Sequence, residues 1–229
     1  MTTQEYLCRH FARMGARVVV RGPRLTQRTK IAIDVGRDRS GNPTASIDDG
    51  LAAGLRLHKF KQNQELARVR RVLSLLRGLG PTTLLDIGSG RGTFLWPLMA
   101  GFPEVAVTAI DVLDQRVADL NAVRQGGIHR LQVFQMDVCD LTFPDAGFDG
   151  VTILEVLEHL SNPEVALHQA LRVARRFVLA SVPSTPDDNP EHRHLFTVSR
   201  LREMAVAGGC PQPKIEHVLN HRILICIKS

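Results

Sequence analysis

The 229-residue sequence predicts an α/β fold: one mostly parallel sheet with helices on both of its faces. Three observations carry that expectation. From Thr83 onward, short β-rich apolar runs alternate with helix-like segments at the spacing of βα units. Each run is bounded by Gly, Pro, Asp or a charged stretch, residues that end regular structure. The last two runs are separated only by the turn-prone pair Asn220-His221, which marks a terminal antiparallel hairpin.

Taken in order, the strands are expected at TLLDIG (83–88), VTAIDV (107–112), LQVFQMD (131–137), FDGVTIL (148–154) and FVLASV (177–182). KIEHVL (214–219) and RILICIK (222–228) form the hairpin and bring the sheet to seven strands. Helices are expected over 94–100, 115–124, 163–175 and 199–207; Asn162-Pro163 and Ser199 act as starts, and Gly208-Gly209 as a stop. Ahead of the first strand, residues 55–79 carry Leu66, Val69, Leu73 and Leu76 at helical spacing, ended by Gly78 to Pro81. Residues 1–54 form an N-terminal extension of unknown role, with strand-like runs at 17–20 and 31–35, a turn at 36–43 and a short helix at 2–13. Residues 55–229 form the main domain.

Composition narrows the setting. No apolar run approaches the roughly 18–20 residues needed to cross a bilayer, and the N-terminus is charged where a signal peptide is apolar, so a soluble cytoplasmic protein is expected. Cys8, Cys139, Cys210 and Cys226 are scattered without a CxxC pair, the pattern of reduced thiols. The net charge of +6 is uneven, since residues 1–80 hold 16 Lys/Arg against 6 Asp/Glu while residues 81–229 hold 13 against 17. A basic N-terminal third suits either a polyanionic partner or a solvated surface.

The strongest motif is Asp86-Ile-Gly-Ser-Gly-Arg-Gly92. A strand that ends in an acid and runs into Gly88, Gly90 and Gly92 supplies backbone able to turn sharply while a ligand comes close. Glycine loops also cradle diphosphates, but Asp86 would repel one and suits a ligand bearing an ammonium and a sulfonium. Asp111 ends the second strand, where an acid accepts hydrogen bonds from ribose hydroxyls. Asp137 ends the third, where it can take an adenine amino group, with Val138 packing on the ring.

LLDIGSGRG, AIDV, MDV and FDGVTILEVLEHL, in that order and spacing, resemble the successive motifs of the class I S-adenosylmethionine-dependent methyltransferases over roughly residues 83–183. The resemblance implies a seven-stranded Rossmann-like sheet, S-adenosyl-L-methionine as cofactor, and cofactor contacts from Asp86, Gly88, Ser89, Gly90, Gly92, Asp111, Val112, Asp137, Val138 and Glu155. Trp96 and Phe94, just after the loop, are expected to pack the first helix.

Chemistry is expected after the fourth strand. Glu155, Glu158 and His159 have the i, i+3, i+4 spacing that sets three polar groups on one face of a helical turn, compatible with a divalent metal. His192 and His194 follow the fifth strand on a Pro-rich loop. The ExxEH element with a distant His-x-Phe is similar to the Hen1-type RNA 3′-terminal ribose 2′-O-methyltransferases, which implies Glu155, Glu158, His159 and His194 as ligands to Mg, Mn or Co. The same residues also suit metal-free acid/base catalysis by Glu155, Glu158 and His159, or a structural role. The acceptor is therefore expected to be an oxygen or nitrogen nucleophile of a small molecule or RNA, and a catalytically silent fold used for binding is the alternative of another class. The remaining histidines, His221 among them, have no comparable neighbours in sequence.

Overall fold

The computed structural model describes residues 66–125, 130–186 and 189–228, together with two three-residue strands, β1 (Val18–Val20) and β2 (Ile31–Ile33). β1 and β2 pair antiparallel inside the two runs read as strand-like. The helix at 2–13, the turn at 36–43, the first part of the helix at 55–79, the boundary at residue 54 and Cys8 lie outside the described residues.

Helix α1 (Ala67–Leu79) buries Val69, Val72, Leu73 and Leu76 along one stripe. It stops at Gly80, whose φ of 55° is the left-handed cap that glycine adopts without a Cβ clash, and whose N–H closes onto Leu76 O. There follow β3 (Thr83–Ile87), α2 (Leu95–Gly101), β4 (Ala106–Asp111), α3 (Asp114–Gln125), β5 (Leu131–Gln135) and β6 (Phe148–Leu154). A 3₁₀ turn (Leu157–His159), α4 (Pro163–Val173), β7 (Ala174–Pro183), α5 (Val198–Ala207), β8 (Lys214–Val218) and β9 (His221–Ile227) complete the order.

The seven strands run β5-β4-β3-β6-β7-β9-β8, all parallel except β9, which is antiparallel to β7 and β8. The fold class read from sequence is therefore the one observed. Several boundaries moved: β5 ends at Gln135 rather than at residue 137, α5 begins at Val198 with Thr197 and not Ser199 as its cap, and α4 ends at Val173 rather than at residue 175, because Ala174 already begins β7. Arg175 and Arg176 gain more as strand residues, Arg175 pairing with Asp149 and Arg176 donating to the last carbonyls of α1, Leu79 O and Gly80 O.

The strands feed two cores. Leu84, Val107, Phe177, Leu179, Ile223 and Ile225 face α1, α2 and α3, while Leu85, Ile153, Val178, Ala180, Leu224 and Cys226 face α4 and α5. Cys139, Cys210 and Cys226 are free thiols. No helix among the described residues is long and apolar enough to cross a membrane.

The amino-terminal edge of the sheet is locked by one buried acid. Asp149 accepts from Thr82 N at 2.7 Å, Thr82 Oγ1 at 2.6 Å and Thr83 N at 3.2 Å, and pairs with Arg175. Burial opposes its charge, but the Thr82 hydroxyl and backbone, the Arg175 guanidinium and the Thr83 N–H outweigh it and hold the carboxyl well below its usual range. Its stabilising contribution is present above the ordinary carboxylate range and is lost as pH falls below it. Asp149→Ala is expected to lower unfolding free energy by about 1–3 kcal/mol at neutral pH, because it removes a buried carboxylate that accepts several short hydrogen bonds, while Thr82 and Arg175 are exposed enough to turn to water. Urea denaturation checks this, and a loss under about 1 kcal/mol contradicts it.

Candidate active site

The chain passes outward through β3, β4 and β5 and then returns to place β6 on the other side of β3. In open α/β sheets this reversal leaves a crevice at the carboxyl ends of the two central strands. A cleft of about 180 Å³ lies there, lined among others by Asp86, Gly88, Gly90, Arg68, Phe94 and Glu155.

Its floor is Asp86, 3% exposed. The register that sets Asp86 opposite Thr152 lets Thr152 Oγ1 donate to Asp86 Oδ1 at 2.8 Å, while Ser89 Oγ donates to Oδ2 at 2.7 Å. Burial nevertheless raises the carboxyl to about 6, with those two donors and the nearby Asp111 as lesser influences. Sequence alone did not single out Thr152.

Gly88, Gly90 and Gly92 take φ of 69°, 54° and 81°, the left-handed region open to glycine. Two of them are also forced by space. A Cβ on Gly88 would lie 2.4 Å from Val156 Cγ2, and one on Gly92 only 1.9 Å from Trp96 Nε1. Trp96, 1% exposed, donates from that nitrogen to Arg91 O and packs α2 against the loop, as expected. Phe94 is likewise buried but also borders the cleft.

Asp111 closes the loop from the β4 side, with Oδ2 accepting Gly90 N at 2.9 Å and Oδ1 accepting Leu113 N at 3.0 Å. Each carboxylate oxygen keeps a second acceptor lone pair. Val112 next to it is 61% exposed. Asp137 Oδ1 accepts Cys139 N at 2.8 Å in a local turn, and Val138 is buried in the α4-side core.

The third region differs from its expected geometry. Glu155, Glu158 and His159 do not share one helical face, because Glu155 lies outside the 3₁₀ turn in a left-handed conformation, φ 56°. An extended residue here would point toward the α4 side with Ile153; the left-handed turn instead brings its carboxylate to the α1 side. There Glu155 Oε1 accepts from Ser181 Oγ at 2.6 Å, Oε2 meets His221 Nε2 at 3.1 Å, and Arg68 Nε lies 3.7 Å away. Burial pushes Glu155 up, but His221, Arg68 and Ser181 outweigh it and leave the carboxyl below its usual range.

Glu158, fully buried, belongs to the opposite side, where its carbonyl accepts Arg193 N at 2.8 Å and His194 N at 3.3 Å. The loop thus folds back over the end of β6. The four-residue set Glu155, Glu158, His159 and His194 is not brought together. Glu155 is drawn away by Ser181 and His221, and His194 Nε2 sits 2.8 Å from Leu160 O. What gathers instead is Glu158, His159 and His192, with one ligand-type atom from each within 4.8 Å of the others. His159 Nδ1 lies 3.1 Å from Glu191 O, and its ring meets His192 edge-on at 4.7 Å. His221 was missed because its partner, Glu155, is 66 residues away in sequence and meets it only through the β7–β9 pairing.

Arg71 forms a two-point bridge to Glu216, at 2.7 and 2.8 Å, and Arg68 faces Glu155, so two cations of the basic stretch at 68–71 are matched by acids of the fold itself.

Comparison with known proteins follows the same region. The family profile described as a methyltransferase domain matches residues 85–177. Demethylmenaquinone methyltransferase of Porphyromonas gingivalis is 25% identical over 119 residues, 51% of this chain and 49% of that protein. Ubiquinone biosynthesis O-methyltransferase of Paramagnetospirillum magneticum is 36% identical over 114 residues, 48% of this chain and 43% of that protein. The chain spans about half or less of the length of these curated relatives. Among solved structures, magnesium protoporphyrin IX methyltransferase of Synechocystis, with bound S-adenosylhomocysteine, superposes with a TM-score of 0.59 at 17% identity, covering 72% of this chain and 84% of that one. Residues 85–177 thus match a methyltransferase-domain profile, and the sheet as a whole shares the fold of a solved methyltransferase.

Proposed function

We propose that this protein transfers the methyl group of S-adenosylmethionine to an oxygen nucleophile of a small molecule. The observation that carries the reading is the loop itself: a buried acid, three left-handed glycines and a second acid tying Gly90 in place. A protein that used the fold only for binding partners has no need of that combination.

In this reading Asp86 faces the cofactor's ammonium, Asp111 takes the ribose hydroxyls with its remaining lone pairs, and Val112 offers an exposed apolar surface to the adenine. Asp137 and Val138 act from beneath, holding the third strand end. The protein's contribution to rate is to fix the sulfonium methyl in line with the acceptor oxygen. The relatives' names specify small acceptors, demethylmenaquinone and magnesium protoporphyrin IX. Residues 81–229 are net acidic, and Arg68 and Arg71 face acids of the fold, which favours a small acceptor over RNA.

The Glu158–His159–His192 cluster supports a second, narrower proposal: a divalent cation (Mg, Mn or Co) held by one carboxylate and two imidazoles, with His159 using Nε2 because Nδ1 faces Glu191 O. Such an ion, when bound, supplies a Lewis acid that lowers the pKa of a coordinated hydroxyl. The cofactor and acid/base roles assigned here do not depend on it.

Three outcomes are expected. Ionised Asp86 attracts the cofactor, so affinity measured by calorimetry rises with pH through about 6 and is flat above. The rise is at most tenfold per pH unit below the turning point. In the free protein the same raised pKa works the other way, since the stability linked to neutral Asp86 is lost as pH rises through about 6. An affinity unchanged from pH 5 to 8 contradicts the role of Asp86, and no binding at millimolar cofactor defeats the methyltransferase reading. Incubation with labelled cofactor and either a metabolite extract or total RNA is expected to label the metabolite fraction; label confined to RNA overturns the acceptor class. Calorimetric titration with Mn²⁺ is expected to show one site that His192→Ala removes, and no heat of binding in the unsubstituted protein disposes of the cation.

A further inference from the structure

Glu155 joins His221, Ser181 and Arg68 in a group of which the motif pattern names Glu155 alone. From it we infer that His221 is the general base that takes the proton of the methyl acceptor, with Glu155 as its positioning residue. The inference rests on the methyl-transfer reading above.

Three observations converge. First, Glu155 is a non-glycine residue in the left-handed region, a conformation that persists only where its surroundings impose it. The surroundings are visible: its N–H donates to Ser181 O at 2.9 Å and its carboxylate accepts from Ser181 Oγ. Second, that turn sets Oε2 against His221 Nε2 at 3.1 Å. A carboxylate on one ring nitrogen fixes the tautomer, so Nε2 carries the hydrogen and Nδ1 keeps the lone pair that accepts a proton. Third, Glu155 and Arg68 line the cofactor cleft, and the His221 side chain that Glu155 holds beside it is 22% exposed.

The step balances. The acceptor O–H proton passes to His221 Nδ1, the oxygen forms its bond to the methyl carbon, and the S–CH₃ bond breaks with its electron pair left on sulfur as the neutral thioether. Glu155 offsets the imidazolium that forms, and the proton then leaves to solvent. Among the described residues, the charged groups on this side include Glu155, Arg68 and Arg71 of α1, and Lys214 and Glu216 of β8, with Arg71 and Glu216 bridged to each other.

The test uses the full chain, S-adenosylmethionine, and two probe acceptors, catechol and the more acidic 4-nitrocatechol, which is already ionised at mildly alkaline pH and needs no base. His221→Asn is expected to leave cofactor affinity within about twofold. It lowers catechol methylation by about 100-fold or more, the usual worth of a general base, and abolishes the acid limb of its pH profile. Turnover of 4-nitrocatechol stays within a few-fold. Equal losses on both probes, or none on catechol, overturn the assignment. A readout independent of turnover is the His221 ring tautomer, measured by ¹⁵N NMR in the S-adenosylhomocysteine complex. The Nε2–H form is expected and Glu155→Gln disturbs it; an Nδ1–H form overturns the proposal even if neither probe is methylated. Failure of the cofactor to bind counts instead against the methyl-transfer reading.

Discussion

The parallel pairing of β3 with β6, in the register that sets Asp86 beside Thr152, is the constraint from which the site follows. Side chains alternate along a strand, so a slip of β3 by one residue would turn Asp86 toward the α4-side core, away from Thr152, and bring Ile87 to the opposite face. The register is held from both sides by burial, with Leu84 in one core and Leu85 and Ile153 in the other. It is held at the amino edge by Asp149, whose donors come from Thr82 and Thr83 at the start of β3. At the opposite edge, the same pairing brings Val156 against Gly88, close enough that only glycine fits.

The two edges of the sheet are chemically different. At the amino edge, basic side chains consume backbone carbonyls: Arg176 caps α1, and Lys228 donates to Leu171 O and Ala174 O at the end of α4. Arg130 does the same for Met99 O, Phe102 O and Val105 O at the end of α2. These groups complement the negative ends of helices and leave little free chemistry. At the carboxyl edge stand Asp86, Asp111, Asp137, Glu155 and Glu158, with several histidines. Burial there raises Asp86, whereas His221, Arg68 and Ser181 keep Glu155 ionised. The two neighbouring acids are thus driven apart in acidity by their environments.

Most of the fold was legible in the sequence, because each strand was bracketed by breakers and α1, α4 and α5 each had a start or stop of their own. The cofactor loop was legible for a related reason: its residues are contiguous, and the turn needs glycine for both φ and space. The acid/base region was not. The spacing of Glu155, Glu158 and His159 predicts a helical face, but the left-handed turn at Glu155 breaks the helical phase before it begins and sends the two glutamates to opposite sides. His221 was invisible for the complementary reason, since its partnership depends on an antiparallel pairing between β7 and β9 rather than on neighbours in the chain. His192, not His194, reaches Glu158 because the loop backbone docks on the Glu158 carbonyl.

The central claim is that the Asp86–Gly92 loop and Asp111 together make a nucleoside–amino acid site. A crystal structure of the full chain with S-adenosylhomocysteine tests it most directly. The account predicts ribose hydroxyls at hydrogen-bond distance, about 3 Å, from Asp111, the amino group on the Asp86 side of the loop, and the glycine backbone unmoved. A ligand whose ribose lies away from Asp111, or one seated outside the β3–β6 crevice, would contradict it.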